Sequence, residues 1–405
     1  MTRRGRVALA LGAVLYLAAW AFGSKPLYPV AVGLLLLNPV AWACVRLADR
    51  PLRLHRSTRK PEHWEGEDVE LDVELECEPR LPTAAVVLAE TIERVGERVT
   101  RLVPRGRGRR GARYVLRRLP RGRYGLAAAE VALEDPFGVQ RRTLTLPSAA
   151  AILVFPRIVD LETLFSEGGP GAHQGRRILL RRPVGYDVHG VREYEHGESL
   201  RRVHWPTTAR RGQLMVKELE DSPRDEVAVV LDAACTSAGT PPDSSFDVQV
   251  RATGSILRTH LRRGRRVVLL INGQAVERHR VHSLEGDWRH ALELLAAAEP
   301  QQARPVTALL GDDAGPAARA REVALVTSAL TSSLVDRLAQ RALGRLGVSL
   351  VWVDPASFAG RERGRGEQAL LLRLGAAGIP VAVVGRDSDL AVALAGGPAI
   401  RAANG

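Results

Sequence analysis

The sequence predicts a multi-domain chain in three parts: a membrane-spanning helical hairpin, a small β-sandwich or barrel-like domain, and an α/β domain on a mainly parallel sheet. Three observations carry this. Two long apolar runs, separated by three residues, open the chain. Residues 68–76 alternate acidic and apolar side chains with period two. From Glu226 onward, short apolar runs alternate with amphipathic stretches of helical period. The expected boundaries are 1–50 for the hairpin, 51–156 for the β-rich domain, 157–225 for a linker with a dense charged motif, and 226–405 for the α/β domain.

Val7 to Gly23 is one apolar run and Leu27 to Val45 the other, with only Ser24, Lys25 and Pro26 between them. Each is near the roughly 20 residues that a helix needs to cross the hydrocarbon. Asn38-Pro39 interrupts the second run, and proline in a membrane helix suggests a kink and not a break. Arg3, Arg4 and Arg6 precede the hairpin, and Arg46, Arg50, Arg53, Arg56, Arg59 and Lys60 follow it. The positive-inside rule therefore places both termini in the cytoplasm, in a multi-pass protein of the inner membrane. A cleaved signal peptide, with Ala19-Trp20-Ala21 as a weak cleavage site, is the competing reading. The length of the first run and the immediate second run weigh against it.

In the middle of the chain, strands are expected at 68–76, 84–88, 113–119, 124–126, 130–134 and 151–155. Pro120 to Arg123 and Asp135 to Gly138 supply turns. Arg105 to Arg110 reads as a solvated hairpin tip. Gly168-Gly169-Pro170-Gly171 marks a mobile linker within the poorly periodic stretch 156–186. The α/β half offers strands at 227–231, 267–271, 323–327, 348–353 and 380–384, and helices at 245–263, 288–298, 333–346 and 367–377. Ligands of such sheets sit beyond the carboxyl ends of the strands, where Asp232, Thr327 and Asp354 fall.

The chain has 405 residues, 45% of them apolar and only 4% aromatic, so its cores must be built from Val, Leu and Ala. The formal charge is +13, and with only three lysines it is almost all arginine. The basic residues are scattered and form no nucleic-acid reader motif, so no nucleic-acid partner is expected. Part of the charge suits the anionic inner leaflet. Cys44, Cys77 and Cys235 form no pairing pattern, which fits a reducing compartment.

The densest segment runs from Gly190 to Glu218. It contains Arg192, Tyr194, Gly197, Glu198, Arg201, His204 and Trp205, then Ala209-Arg210 and Val216-Lys217-Glu218. This pattern resembles the signature of the bacterial family called domain of unknown function 58, Arg-x-Tyr-x-x-Gly-Asp-x-x-Arg-x-Ile-x-Trp followed by Ala-Arg. Arg121 to Tyr124, Asp135 to Gly138 and the N-terminal membrane pair are similar to other parts of that family. Glu198 departs from the usual Asp, keeping the charge while lengthening the reach.

The resemblance implies a von Willebrand factor A-like, Rossmann-type C-terminal domain. It also implies a non-enzymatic scaffold acting on protein partners with a MoxR-type AAA+ ATPase. An envelope-linked module that binds anionic lipid or a cell-wall precursor is the alternative. From the residues themselves, the arginines and carboxylates of the motif suit an interdomain salt-bridge network, or else a partner surface. Trp205 reads as a packed anchor. His196 and His204 have no Ser or Cys nucleophile placed with them, so no catalytic residue is assigned. In an A-type fold, Asp-x-Ser-x-Ser binds a divalent metal. Here the positions read Asp232, Ala234 and Thr236, a degraded site, so no cofactor is expected and magnesium is a minor option.

Overall fold

A computed structural model describes residues 1–47, 52–76, 85–106, 108–147, 149–167, 188–194, 203–219, 227–301, 304–312, 315–344 and 346–396. Its contacts divide the chain into two units, Met1–Phe155 and Pro156–Gly405.

The first unit opens with helices α1 (Arg3–Phe22) and α2 (Leu27–Leu47). Thr2 caps α1, its hydroxyl accepting from the Gly5 amide, and Gly23 ends it with φ 65°. Both helices are long and apolar enough to cross a membrane. Leu9, Val14, Leu17 and Trp20 on α1, and Val30, Leu36 and Val40 on α2, are exposed. The helices meet through small residues. A Cβ on Gly12 would lie 3.1 Å from side-chain atoms of Leu34 and Leu35, so glycine permits the close approach. Helix α2 continues through Pro39, and near its far end Val45 joins the core of the β-sheet that follows.

That sheet has ten strands: β1 (Arg53–Thr58), β2 (His63–Trp64), β3 (Val69–Glu76), β4 (Ala85–Ile92), β5 (Gly96–Gly106), β6 (Arg109–Leu116), β7 (Gly122–Leu126), β8 (Ala129–Glu134), β9 (Arg141–Leu146) and β10 (Ala150–Phe155). The order along its main path is β1-β3-β6-β5-β4-β7-β10-β2, with β8 paired to β4 and β9 to β8. All pairings are antiparallel except β10 with β2. β3 buries Val69, Leu71, Val73 and Leu75 and turns its acidic residues outward, as the period-two pattern requires.

The expected sandwich or barrel takes the form of one curled sheet around a single core. β5 makes the corner. Its residues 96–102 pair with β4 and residues 103–106 pair with β6, so one strand serves both halves. Inside this unit, Arg56 Nε donates to Glu90 Oε1 at 2.6 Å and the Tyr114 hydroxyl donates to Glu90 Oε2 at 2.7 Å. Burial, and then Glu90 itself, push the Tyr114 phenol well above its ordinary range.

The second unit begins with residues 156–167, expected as linker. They pack instead: Leu161, Leu164 and Phe165 join the main core, with Val159 against it. Val159 N donates to Ser255 Oγ at 3.0 Å. The glycine-rich stretch 168–171 lies outside the described residues. An antiparallel ribbon, β11 (Val188–Glu193) and β12 (Met215–Leu219), carries the short helix α3 (Trp205–Arg211) between its strands.

The main sheet is β15-β14-β13-β16-β17-β18, from β13 (Val227–Asp232), β14 (Val267–Asn272), β15 (Val276–Val281), β16 (Glu322–Thr327), β17 (Gly347–Val353) and β18 (Val381–Val384). It is parallel except for β15, an antiparallel edge that the polar sequence VERHRV did not announce. Val227, Val229 and Leu231 enter one core and Ala228 and Val230 the other, so both faces are covered. Helices α4 (Ser245–Arg262), α5 (Trp288–Ala297), α6 (Val306–Gly311), α7 (Pro316–Arg319), α8 (Ser332–Leu343), α9 (Pro355–Phe358), α10 (Arg365–Ala376) and α11 (Leu390–Leu394) complete the unit. α4 starts at a capping box: Asp247 N donates to Ser244 Oγ at 3.2 Å and Ser244 N to Asp247 Oδ2 at 3.4 Å.

Candidate functional site

The charged segment is held by its backbone. Tyr194 N donates to Leu214 O at 2.9 Å and His204 N to Met215 O at 2.7 Å. Val203, Met215 and Val216 within it are buried. The Thr208 hydroxyl accepts from Met215 N at 3.0 Å, and His204 Nδ1 lies 2.8 Å from Thr207 Oγ1. Helix α3 ends at Gly212, in the left-handed region at φ 69°.

Of the residues singled out in the sequence, Arg192 lies in β11 opposite Val216 and Tyr194 is half-buried. Gly197, Glu198 and Arg201 lie outside the described residues. Ala209 and Arg210 are exposed on α3. Trp205 does not pack as an anchor. It is 63% exposed at the start of α3, and Leu214 just beyond the helix is also exposed. The buried apolar residues of this segment are instead Val203, Met215 and Val216.

The second constellation lies at the carboxyl ends of β13, β14 and β16. Asp232 is buried, and three donors converge on it. Asn272 Nδ2 reaches Oδ1 at 3.0 Å, Ala234 N reaches Oδ1 at 3.2 Å, and the Thr327 hydroxyl reaches Oδ2 at 2.7 Å. Burial pushes its carboxyl above the ordinary range, and the three donors pull it part of the way back. Asn272 was missed in the sequence, although it is the one polar residue closing the run VVLLIN.

Asp354 is near in the fold but differently used. It caps α9 through Ala356 N at 3.0 Å and pairs with Arg363 Nε at 3.0 Å. Cys235, after β13, is part-buried, and burial pushes its thiol up, away from a reactive thiolate.

This donor set does not fit a hard divalent cation. Asp232 already accepts on both oxygens, Ala234 offers a methyl where a hydroxyl ligand belongs, and Thr236 is exposed. Among the described residues, no group of three or more His, Cys, Asp or Glu could hold a metal ion.

All but the first two residues of the ribbon, α3 and the sheet through β17 fall within one stretch that known proteins share. Residues 190–357 match the family described as "Protein of unknown function DUF58". The chain is also 27% identical over 323 residues to the Bacillus subtilis (strain 168) protein given as "Uncharacterized protein YeaD", covering 75% of this chain and 77% of that protein. A solved structure, Pseudomonas fluorescens alkylpurine DNA glycosylase AlkC bound to DNA containing an abasic site analog, aligns over 32% of this chain with a TM-score of 0.18 and 15% identity. The chain spans 38% of that protein's length, and a likeness this slight carries no inference. The DUF58 match takes in both the charged segment and Asp232, and leaves the apolar hairpin outside it.

Proposed function

We propose that this chain is a membrane-tethered, non-enzymatic scaffold. In this reading the hairpin α1–α2 spans the inner membrane, both termini face the cytoplasm, and the α/β unit is von Willebrand factor A-like and binds protein. The expected partner is a MoxR-type AAA+ ATPase, as the family resemblance implies. One observation supports the binding role above others. Trp205, 63% exposed, shares helix α3 with exposed Arg210 and Arg211, and Leu214 follows. Tryptophan and arginine are the residue types that most often dominate protein interfaces. The closed hydrogen-bond network around Asp232 supports a binding role over a catalytic one, because its carboxylate is engaged inside the fold.

The test is a pulldown of the full chain in mild detergent, read by mass spectrometry, with wild type beside Trp205→Ala. The proposal expects the ATPase with wild type and its loss with the variant, at an unchanged melting temperature. An exposed side chain away from packing costs within about 0.5 kcal/mol when truncated. Equal recovery by both proteins would contradict the role given to Trp205. Binding that follows the anionic lipid content of vesicles instead would favour an envelope-ligand module.

A further inference from the structure

The turn Asp135–Gln140 joins β8 to β9, far in sequence from the hairpin, yet it is hydrogen-bonded to the hairpin's first residues. Thr2 N donates to Val139 O at 2.9 Å and Thr2 Oγ1 to Gly138 O at 2.7 Å. Asn38, buried within α2, donates from Nδ2 to Gly5 O at 3.0 Å and accepts from Gln140 Nε2 at 3.4 Å. The approach is close enough that a Cβ on Gly5 would lie 2.6 Å from Val139 O. The turn therefore sits at the level where α1 begins. Helix α1 has 20 residues, about 30 Å at 1.5 Å per residue, which is the thickness of the hydrocarbon. If that helix spans, its first residue marks one boundary of the bilayer, and the turn lies at that boundary.

The turn is also rigid and carries an exposed aromatic residue. Asp135 is buried, and its carboxylate accepts from Phe137 N at 2.8 Å and Gln140 N at 2.5 Å. Gly138 N donates to Asp135 O at 3.0 Å, and Gly138 has φ 69°. These bonds hold Phe137 at the tip, 62% exposed. A phenylalanine held out on a stiff turn gains nothing in water and is ready to bury its ring elsewhere.

On the other helix, Trp42, one turn beyond Asn38, is 54% exposed with the Arg46 guanidinium 5.3 Å from its ring centre. Tryptophan is enriched at membrane–water interfaces, and arginines near helix ends reach for the headgroups. The charge agrees. Arg3, Arg4 and Arg6 open α1, with Arg4 Nη1 3.5 Å from where a Gly138 Cβ would stand, while the carboxylate of Asp135 is consumed inside the turn.

We infer that the Asp135–Gln140 turn is a membrane-interface foot, with Phe137 seated among the headgroups of an anionic lipid surface and Arg4 facing their phosphates. This rests on the membrane-spanning reading of the hairpin, and the experiment separates the two. The full chain, with Cys44→Ala, Cys77→Ser and Cys235→Ala, carries an environment-sensitive dye at Phe137→Cys or at Val14→Cys. It is reconstituted in vesicles of phosphatidylcholine with phosphatidylglycerol.

A label at Phe137→Cys should emit blue-shifted, lose emission to lipids carrying a shallow nitroxide, and be shielded from iodide. Adding Arg4→Glu should weaken the shallow quenching in these vesicles more than in pure phosphatidylcholine. A label at Val14→Cys should be quenched by a deep nitroxide. If the Val14 label is quenched while the residue 137 label stays open to iodide and indifferent to lipid nitroxides, the inference is overturned and the span stands. If the Val14 label is also indifferent, the span and the foot fall together.

Discussion

Asp232 keeps its place because three donors converge on it, and the energetic weight of that arrangement can be measured one atom group at a time. Replacing Thr327 by valine keeps the shape and removes the hydroxyl that reaches Asp232 Oδ2 at 2.7 Å. A hydrogen bond to a charged group contributes about 1.5–3 kcal/mol, so Thr327→Val should lower the stability of the α/β unit by that amount. Neither this variant nor wild type should shift its melting on addition of magnesium. Calorimetric melting checks both.

His260 gives the second residue-scale prediction. It is buried on α4, and burial lowers its pKa to about 4. Unfolded, the imidazole titrates near 6.5. The folded pKa is depressed, so the neutral ring's contribution is complete above about 6.5 and is lost as pH falls toward about 4. The expected loss is roughly 3 kcal/mol over that window. His63, whose pKa burial also lowers, acts in the same direction. Melting curves from neutral pH down to about 4 should be shallower for His260→Gln than for wild type. Equal slopes would contradict the assignment.

At the scale of elements, the curled sheet depends on a buried ion pair. Arg56 on β1 and Glu90 on β4 are strands apart in the sheet order, and their side chains are only 5% and 2% exposed. Glu90→Leu would leave the Arg56 guanidinium buried against an apolar neighbour. That should cost about 3–5 kcal/mol, read as a lower melting temperature of the β unit in the detergent-solubilised chain.

The same elements show what the sequence could and could not say. β3 was legible because one of its faces is buried along its whole length. β13, β14, β16 and β17 were legible as continuous apolar runs, as both faces are covered. β5 was not, because nine of its 11 residues face water and its pattern carries no period. β1 and β9 expose every second residue and half-expose the rest, so their alternation is faint. Residues 156–167 looked like linker because their order comes from packing: Ile158 fills the space that Gly254 leaves open on α4, where a Cβ would lie 2.3 Å from Ile158 Cδ1. In the candidate site, Asp232 and Thr327 were visible at strand ends, whereas the 63% exposure of Trp205 is set by tertiary packing that no local pattern carries.

The whole molecule comprises an apolar hairpin, a β unit hydrogen-bonded to the start of that hairpin, and an α/β unit carrying the segment that matches DUF58. In the proposed topology the hairpin crosses the membrane and everything after it lies in the cytoplasm. Cysteine accessibility in intact cells tests this directly, using a chain with Cys44, Cys77 and Cys235 replaced and single cysteines placed at Ser24, Val99 or Val276. A membrane-impermeant maleimide added outside should label Ser24→Cys, in the short turn between α1 and α2, and should label Val99→Cys and Val276→Cys only after the cells are opened. Labelling of Val99→Cys or Val276→Cys in intact cells, or protection of Ser24→Cys, would contradict it.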